Sequence, residues 1–240
     1  MIYKTLVLTR RELASLFFSP IGYVVIALFA LGSSLIFYIN FAPGNPATMR
    51  STYAGVVWLL VFLAPAISMR LVSEELARGT LERLATSPVG EPQIVLGKWL
   101  AAVVFFCIML LPLLAQLVLL ELNGRPDWGP AITGLLGLVL VGALYLAIGT
   151  FASAASENQI IAFLLSVFLI CGFTFLLYFL PESQLIPANV RAAMYYANVN
   201  RQYEDFNKGL IDIRNFVYFA SVTALFLFLA VKLLESRRWR

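Results

Sequence analysis

The ionisable residues that could do chemistry are concentrated in Glu74 to Leu100, which reads EELARGTLERLATSPVGEPQIVLGKWL. Only 12% of the 240 residues are charged, and none is histidine, so the commonest general base and metal ligand is missing. The glycines and the Gly-Lys pair of GEPQIVLGKW have the wrong spacing for a phosphate-binding loop, and Trp99 stands where that loop needs Ser or Thr. We therefore expect no enzyme activity, no metal site and no cofactor in this chain.

Composition indicates an integral membrane protein, since 61% of the residues are hydrophobic and 14% are aromatic. A helix needs about 20 apolar residues to cross a bilayer, and six stretches are long enough. We place them near residues 21–41, 53–72, 97–120, 130–151, 159–180 and 215–234. The prediction is an all-α protein whose residues 1–240 form a single transmembrane domain.

The distribution of lysine and arginine predicts the orientation. With both termini in the cytoplasm, eleven of these residues lie on the cytoplasmic side and six on the other. Cations near span ends are retained in the cytoplasm, so we expect cytoplasmic N and C termini. Residues 1–20 are then predicted to form an interfacial helix, with Leu6, Leu13 and Phe17 in the lipid and Lys4 and Arg11 towards the headgroups.

The charged stretch between the second and third spans is then cytoplasmic. Glu74, Arg78 and Glu82 are spaced i, i+4, i+8, which places them on one helical face and favours ion pairs. Gly79 and Thr80 interrupt this helix, because glycine takes unusual backbone angles and threonine caps helices. We predict two short helices meeting at an angle, an elbow suited to docking a partner. The alternative is a solvated loop with incidental charges.

Few polar residues interrupt the spans themselves. Lys98, Glu121 and Lys232 fall near span ends, within reach of water by snorkelling. Gln116 lies in mid-span, where an interhelical hydrogen bond is more common than a substrate ligand. The chain therefore lacks the residues typical of proton-coupled or ion-coupled transport.

Small residues and prolines predict how the spans pack. Gly142 and Gly149 accompany a stripe of small residues in the fourth span, which favours close helix contact, and a dimer seam is the alternative. Pro65 and Pro112 each remove a backbone donor, so we expect them to kink the second and third spans.

Two further segments are candidates for contacts. The turn with Glu157, Asn158 and Gln159 is cytoplasmic and is either a second partner contact or a simple tight turn. The long external loop, 181–214, contains four aromatic residues that we interpret as a headgroup-level belt; the alternatives are a lateral exit or a site for an extracytoplasmic partner. These residues are Tyr195, Tyr196, Tyr203 and Phe206.

Four blocks of the sequence resemble the membrane subunits of type-2 ABC transporters, and among them the gliding-motility permeases called GldF. They cover nearly the whole chain and are RRELASLFFSPIGYVV, EELARGTLERLATSPVGEPQIVLGKWLA, AIGTFASAASENQIIAFLLSVF and NKGLIDIRNFVYFASVTALFLFL. The resemblance implies a six-helix permease of the bacterial inner membrane, paired with a second copy or a related membrane subunit. It also implies a dimer of cytoplasmic ATPase subunits that hold ATP and Mg²⁺.

In that family the cytoplasmic elbow is the coupling helix, which seats in a groove of the ATPase. The resemblance therefore implies a docking element formed or braced by Glu74, Glu75, Arg78, Gly79, Thr80, Leu81, Glu82, Leu84 and Pro88, with Gln93, Gly97 and Lys98 anchoring the return to the membrane. Lipids are expected partners and nucleic acid is not. The expected function is the permease of an ATP-driven exporter or mechanical machine. The alternative is a membrane scaffold that docks a cytoplasmic regulator and transports nothing.

Overall fold

A computed structural model of the chain describes residues 2–41, 47–79, 90–179 and 187–237. Within these ranges all regular structure is helical, which confirms the predicted all-α membrane protein. In chain order the helices are α1 Ile2–Phe17, α2 Pro20–Asn40, α3 Arg50–Ser68, α4 Ser73–Ala77, α5 Glu91–Met109, α6 Leu111–Asn123, α7 Trp128–Ala155, α8 Gln159–Cys171, α9 Leu177–Phe179, α10 Ala188–Ala197, α11 Val199–Asn207 and α12 Ile213–Arg237. A π-helical segment, Gly172–Leu176, joins α8 to α9.

Six helical stretches of the described chain are long and apolar enough to cross a membrane: Pro20–Asn40, Arg50–Ala77, Glu91–Asn123, Trp128–Ala155, Gln159–Leu176 and Ile213–Arg237. Each overlaps a predicted span. The third begins earlier than predicted because Gly90 starts the helix: its N–H donates to the Gln93 side chain over 3.3 Å. The fifth continues through the π-helical segment to Phe179, close to its predicted end, and residue 180 lies outside the described residues.

Proline affects the second and third spans differently. The third span is interrupted at Leu110, two residues before Pro112, and continues as a separate helix. Pro65 lies inside α3, which runs on to Ser68, and the turn residues that follow lead into α4. The expected interruption is thus present at Pro112, whereas α3 stays continuous through Pro65.

Helix α7 is the centre of the bundle and packs against α3, α5, α8, α11 and α12. From Gly137 to Ala155 none of its residues is exposed. A Cβ atom on Gly142 would overlap the buried Phe106 ring, whose Cδ1 atom would lie only 2.7 Å away. The small residues of α7 therefore let neighbouring helices of the same chain approach closely, as the packing interpretation predicted.

Gln116 connects two spans. Its Nε2 atom lies 3.3 Å from the Ser33 hydroxyl and 3.4 Å from the Ser34 hydroxyl, which join α6 to α2. This agrees with the interhelical hydrogen bond predicted for this residue.

Helix α1 lies against α5 along a face different from the one predicted. Leu8, Thr9 and Leu16 are buried, whereas Leu6 is 57% exposed. Leu13 and Phe17 pack against the core, so the predicted lipid-facing stripe is wrong for both of them. The reason is tertiary packing, since α5 meets α1 on a side that includes part of the stripe assigned to lipid.

Candidate functional site

Lys98 lies at the centre of a buried group of charges. Its side chain is 1% exposed, and its Nζ atom lies 3.2 Å from Glu12 Oε2 and 3.0 Å from Glu75 Oε1. Three helices meet here, because Glu12 belongs to α1, Glu75 to α4 and Lys98 to α5. We call Glu12, Glu75 and Lys98 the Lys98 junction. The snorkelling predicted for Lys98 is wrong, since its ammonium group is satisfied by carboxylates inside the protein.

Local packing brings Glu12 to this position. Thr9, one turn before it, donates a hydrogen bond from Oγ1 to the Gly97 carbonyl oxygen over 3.2 Å. A Cβ on Gly97 would lie 3.0 Å from the Leu8 Cβ, so glycine lets α1 lie directly on α5. The Gly-Lys pair therefore supplies both the close helix contact and the buried cation beside it.

Arg11 adds a second cation at the edge of the Lys98 junction. Its Nη2 atom lies 2.7 Å from Glu12 Oε1 and 3.4 Å from Glu75 Oε1. Burial alone raises the pKa of Glu12, but attraction to Lys98 and hydrogen bonds from Arg11 and Lys98 outweigh it, so the pKa is lowered from the ordinary value of a glutamate. The hydrogen bond to Glu12 raises the pKa of Arg11. Glu12 and Arg11 are therefore both charged at neutral pH.

Glu74 forms a neighbouring set of ion pairs that holds the end of the second span. Its Oε1 atom lies 2.7 Å from Arg78 Nη2, and its Oε2 atom lies 3.3 Å from Arg70 Nε. Arg70 also donates to the Ser19 hydroxyl at the start of α2. The Glu74–Arg78 pair has the i, i+4 geometry that the sequence predicted, whereas the link from Arg70 to Ser19 was not anticipated.

Helix α4 ends as predicted, at a glycine. Gly79 has a φ of +63°, a left-handed conformation that favours glycine. The next residues of the predicted elbow lie outside the described residues, so its second half is not compared with the structure. These are Thr80, Leu81, Glu82, Leu84 and Pro88.

The start of α4 has its own anchor on α7. Ser153 Oγ accepts hydrogen bonds from the backbone N–H groups of Val72 and Ser73, both at 3.0 Å, and donates to the Met69 carbonyl oxygen over 2.9 Å. Ser153 is fully buried, so these contacts are shielded from water. One serine thus fixes the turn between α3 and α4 to the central helix.

A cleft of about 350 Å³ lies between α1 and α4 and is lined by the charged side chains of both ion-pair groups. Arg78 and Arg11 form its exposed side, at 70% and 57% side-chain exposure, while Lys98 closes its base. The arrangement holds four cations against three carboxylates. The charged side chains of this cleft form ion pairs with one another, so the cleft is suited to holding the helices together. Its exposed arginines present charge to the surroundings.

The turn before α8 is capped and tied to the last helix. Asn158 accepts from the Ile160 N–H over 2.8 Å, and Gln159 begins α8. Glu157 Oε1 accepts from Arg237 Nη1 at 2.9 Å. This local geometry accounts for the tight turn that was one of the two interpretations, and it leaves Glu157 66% exposed.

The four aromatic residues of the external loop separate into two pairs. Tyr203 and Phe206 of α11 are buried, and Thr133 Oγ1 of α7 donates to the Phe206 carbonyl oxygen over 2.7 Å. The belt interpretation is therefore wrong for these two, because α11 packs into the bundle. Tyr196 is exposed, and the Tyr195 ring lies 4.0 Å from the guanidinium of Arg201.

The Lys98 junction is the part of the site that sequence reasoning missed. The chain separation between its members hides it from any local pattern. The available signal was Lys98 itself, a cation placed several residues inside an apolar helix whose first turn also holds Glu91.

Comparison with protein families gives one finding. A family model described as ABC-2 family transporter protein matches residues 47–237, which is most of the chain. A search of curated proteins gives no match. The matched range includes α4 and Lys98 but begins after α1, so Glu12 lies outside it.

Proposed function

This chain belongs to the ABC-2 transporter family and is a multi-pass permease subunit of an ABC transporter, and we propose that it works with a separate cytoplasmic ATPase that docks on the elbow beginning at α4. ATP and Mg²⁺ would be held by that ATPase. The complex would contain two ATPase subunits and a second membrane subunit, identical or related, in a bacterial inner membrane.

The observation that carries the proposal is the way α4 is built. Three carboxylates and four cations lie around its base, and the helix ends at Gly79, where the chain turns. Arg78 is 70% exposed at this end, so charge is available to a partner beyond α4. A helix that transmits movement from a partner must be held firmly by its own chain and must expose its other end to the partner. The ion pairs around α4 and the exposed Arg78 meet these two requirements.

The end of the molecule that holds α4 is also the end that we assign to the cytoplasm. Helix α1 meets α4 at the Lys98 junction, and Ser153 near the end of α7 holds the base of α4. Arg237 of α12 donates to the Ala155 carbonyl oxygen at the end of α7, so these elements lie at the same end of the molecule. The excess of lysine and arginine on this side supports a cytoplasmic location. Helix α11 lies at the opposite end, which we assign to the external side.

The resemblance to gliding-motility permeases makes the proposal more specific. We propose that the chain belongs to that subfamily, and that its complex either exports a cargo or does mechanical work across the membrane. No Asp, Glu, Lys or Arg residue lies in mid-span among the described helices, which favours a machine driven by ATP rather than by an ion gradient.

The test is purification of the affinity-tagged chain from membranes solubilised in mild detergent, with ATP hydrolysis measured in the eluate. Wild type is expected to bring an ATPase with it. Glu82→Arg, which reverses a charge in the elbow, is expected to lose it. Glu204→Arg is the matched control, since Glu204 is an exposed carboxylate on α11 that pairs with Lys208 at 2.6 Å.

Each outcome has a distinct meaning. Loss of ATPase from Glu82→Arg alone supports docking at the elbow. Loss from neither variant places the docking surface elsewhere. An eluate without ATPase in wild type contradicts the proposed function and favours the scaffold alternative.

A further inference from the structure

We propose that Lys98 is a positioning residue that fastens α1 to α4, so that the N-terminal helix moves together with the elbow as one body. The inference deepens the proposed function, because the ATPase supplies the movement. The fastening itself is independent of any partner.

The first argument is geometric. One ammonium group is shared by a carboxylate from α1 at 3.2 Å and a carboxylate from α4 at 3.0 Å. Arg11 repeats the connection from the other side, with Glu12 at 2.7 Å and Glu75 at 3.4 Å. Each carboxylate is thus held by the same two cations, and α1 cannot leave α4 without separating at least one buried ion pair.

The second argument concerns how α4 is attached. Besides the ion pairs of Glu74, this five-residue helix is held by Ser153 at its start and by Glu75 in its middle. Ser153 holds backbone groups at the start of α4. Glu75 holds side chains of α1 and α5. A displacement of α4 therefore pulls on Glu75 and, through Lys98, on Glu12.

The third argument is energetic. Burying charges carries a large desolvation cost, and well-packed apolar side chains often stabilise a buried position equally well or better. The neighbouring contacts of α1 with α5 are already apolar and close, as Leu8 against Gly97 shows. A directional link between α1 and α4 explains a buried lysine here better than stability does. Ion pairs also hold two elements in one register, which apolar contacts specify less strictly.

The test measures whether α1 and α4 keep a fixed separation. Spin labels are attached to cysteines replacing Ala14 of α1 and Ala77 of α4, both exposed, after Cys107 and Cys171 are replaced by alanine. Double electron–electron resonance then gives the distribution of distances between the labels. It is recorded for the purified chain without nucleotide and for the ATPase complex trapped with ATP and vanadate.

The key variant is Glu75→Gln, which removes the charged contact of α4 with both Lys98 and Arg11 and leaves these cations paired with Glu12. Glu12→Gln removes the α1 carboxylate of the Lys98 junction, but Arg11 of α1 still lies 3.4 Å from Glu75. Glu235→Gln is the matched control, because it removes a carboxylate from the exposed pair with Lys232 at 2.7 Å.

In wild type and the control we expect one narrow distribution whose centre is unchanged by vanadate trapping. In Glu75→Gln we expect the distribution to widen about twofold and its centre to shift on trapping, as for an element released from its neighbour. In Glu12→Gln, which keeps the Arg11–Glu75 pair, we expect a smaller change in the same direction. Variants with distributions like wild type in both states would overturn the inference.

Failure of the proposed function is distinguishable from failure of this inference. If no ATPase complex forms, the proposed function fails, and the nucleotide-free comparison still decides whether Glu12 and Glu75 fasten the two helices. If the complex forms and traps normally but the variants keep a fixed distance, only the inference fails.

Discussion

Replacing Lys98 by methionine is the perturbation whose outcome the structure predicts most sharply. Methionine has a similar length and no charge, so it fills the same space and leaves Glu12 and Glu75 close together with Arg11, at the exposed edge, as their remaining shared cation. Both carboxylates are largely buried, with side-chain exposures of 13% and 18%. Removing one partner from a buried ion pair costs about 3–5 kcal/mol in the free energy of unfolding.

For a chain of this size each kcal/mol lowers the unfolding temperature by about 2–4 °C, so we expect a decrease on the order of 10 °C. The assay is thermal unfolding of the purified protein in detergent, followed by intrinsic fluorescence. The triple variant Glu12→Gln, Glu75→Gln, Lys98→Met removes all three charges and should recover most of the loss. The cost in the single variant comes from uncompensated carboxylates rather than from lost packing.

The pH dependence of stability gives a second test of Lys98→Met. The pKa of Glu12 is lowered in the folded protein, so its charged form contributes stability above the ordinary pKa of a glutamate, and the contribution is lost as pH falls through the folded pKa. Wild type should therefore lose stability in acid. In Lys98→Met the cation that lowers this pKa is gone, so protonation comes earlier and relieves the repulsion. The difference between the two proteins should shrink as pH falls.

Two results would refute this reasoning. A Lys98→Met protein as stable as wild type at neutral pH would mean that the ion pairs contribute little. A triple variant as unstable as Lys98→Met would mean that the loss arises from packing.

Three other predictions concern stability at positions away from the Lys98 junction, each measured by the same thermal unfolding assay. Gly142→Ala should cost about 1–3 kcal/mol in the free energy of unfolding, because the added carbon overlaps the buried Phe106 ring. Gly172→Ala should change little, since no neighbouring side chain lies within 4 Å of the carbon that it adds. Equal effects of the two substitutions would contradict the packing argument. Gly79→Ala should cost about 1–2 kcal/mol because of the left-handed conformation of residue 79, and a neutral result would show that the turn relaxes. Arg237→Gln should cost less than about 1 kcal/mol, since its ion pair is exposed, and a larger loss would show that the end of α12 is held mainly by this pair.

Much of the architecture could be predicted because it depends on local chemistry. The length and apolar character of the spans reflect the thickness of the bilayer, so all six were found. Gly79 could be identified as a helix end, and Gln116 as an interhelical contact, since each has few structural uses in its setting. The Glu74–Arg78 pair followed from helical spacing alone.

The errors share one physical cause, which is packing between elements far apart in the sequence. Lys98 was assigned to water because span ends usually lie near water, yet α1 covers it. Tyr203 and Phe206 were assigned to the headgroup level because aromatic residues gather there, yet α11 enters the bundle. The face of α1 was read from its periodicity, whereas Gly97 on another helix decides which side is buried. None of these contacts can be predicted from the spacing of residues within a single helix.

The enclosure of α7 from Gly137 to Ala155, where none of its residues is exposed, affects the order in which the bundle can be completed during synthesis. Domains are synthesised from the N terminus onwards, and α7 leaves the ribosome before α8, α11 and α12, all of which pack on it. Phe226 of α12 reaches the Phe151 ring of α7 at a centroid distance of 5.8 Å, so part of the surroundings of the central helix comes from the last span. The centre of the bundle is therefore completed only when synthesis is nearly finished. Until then α7 depends on lipid, or on the membrane insertion machinery, to cover the side that α12 will occupy.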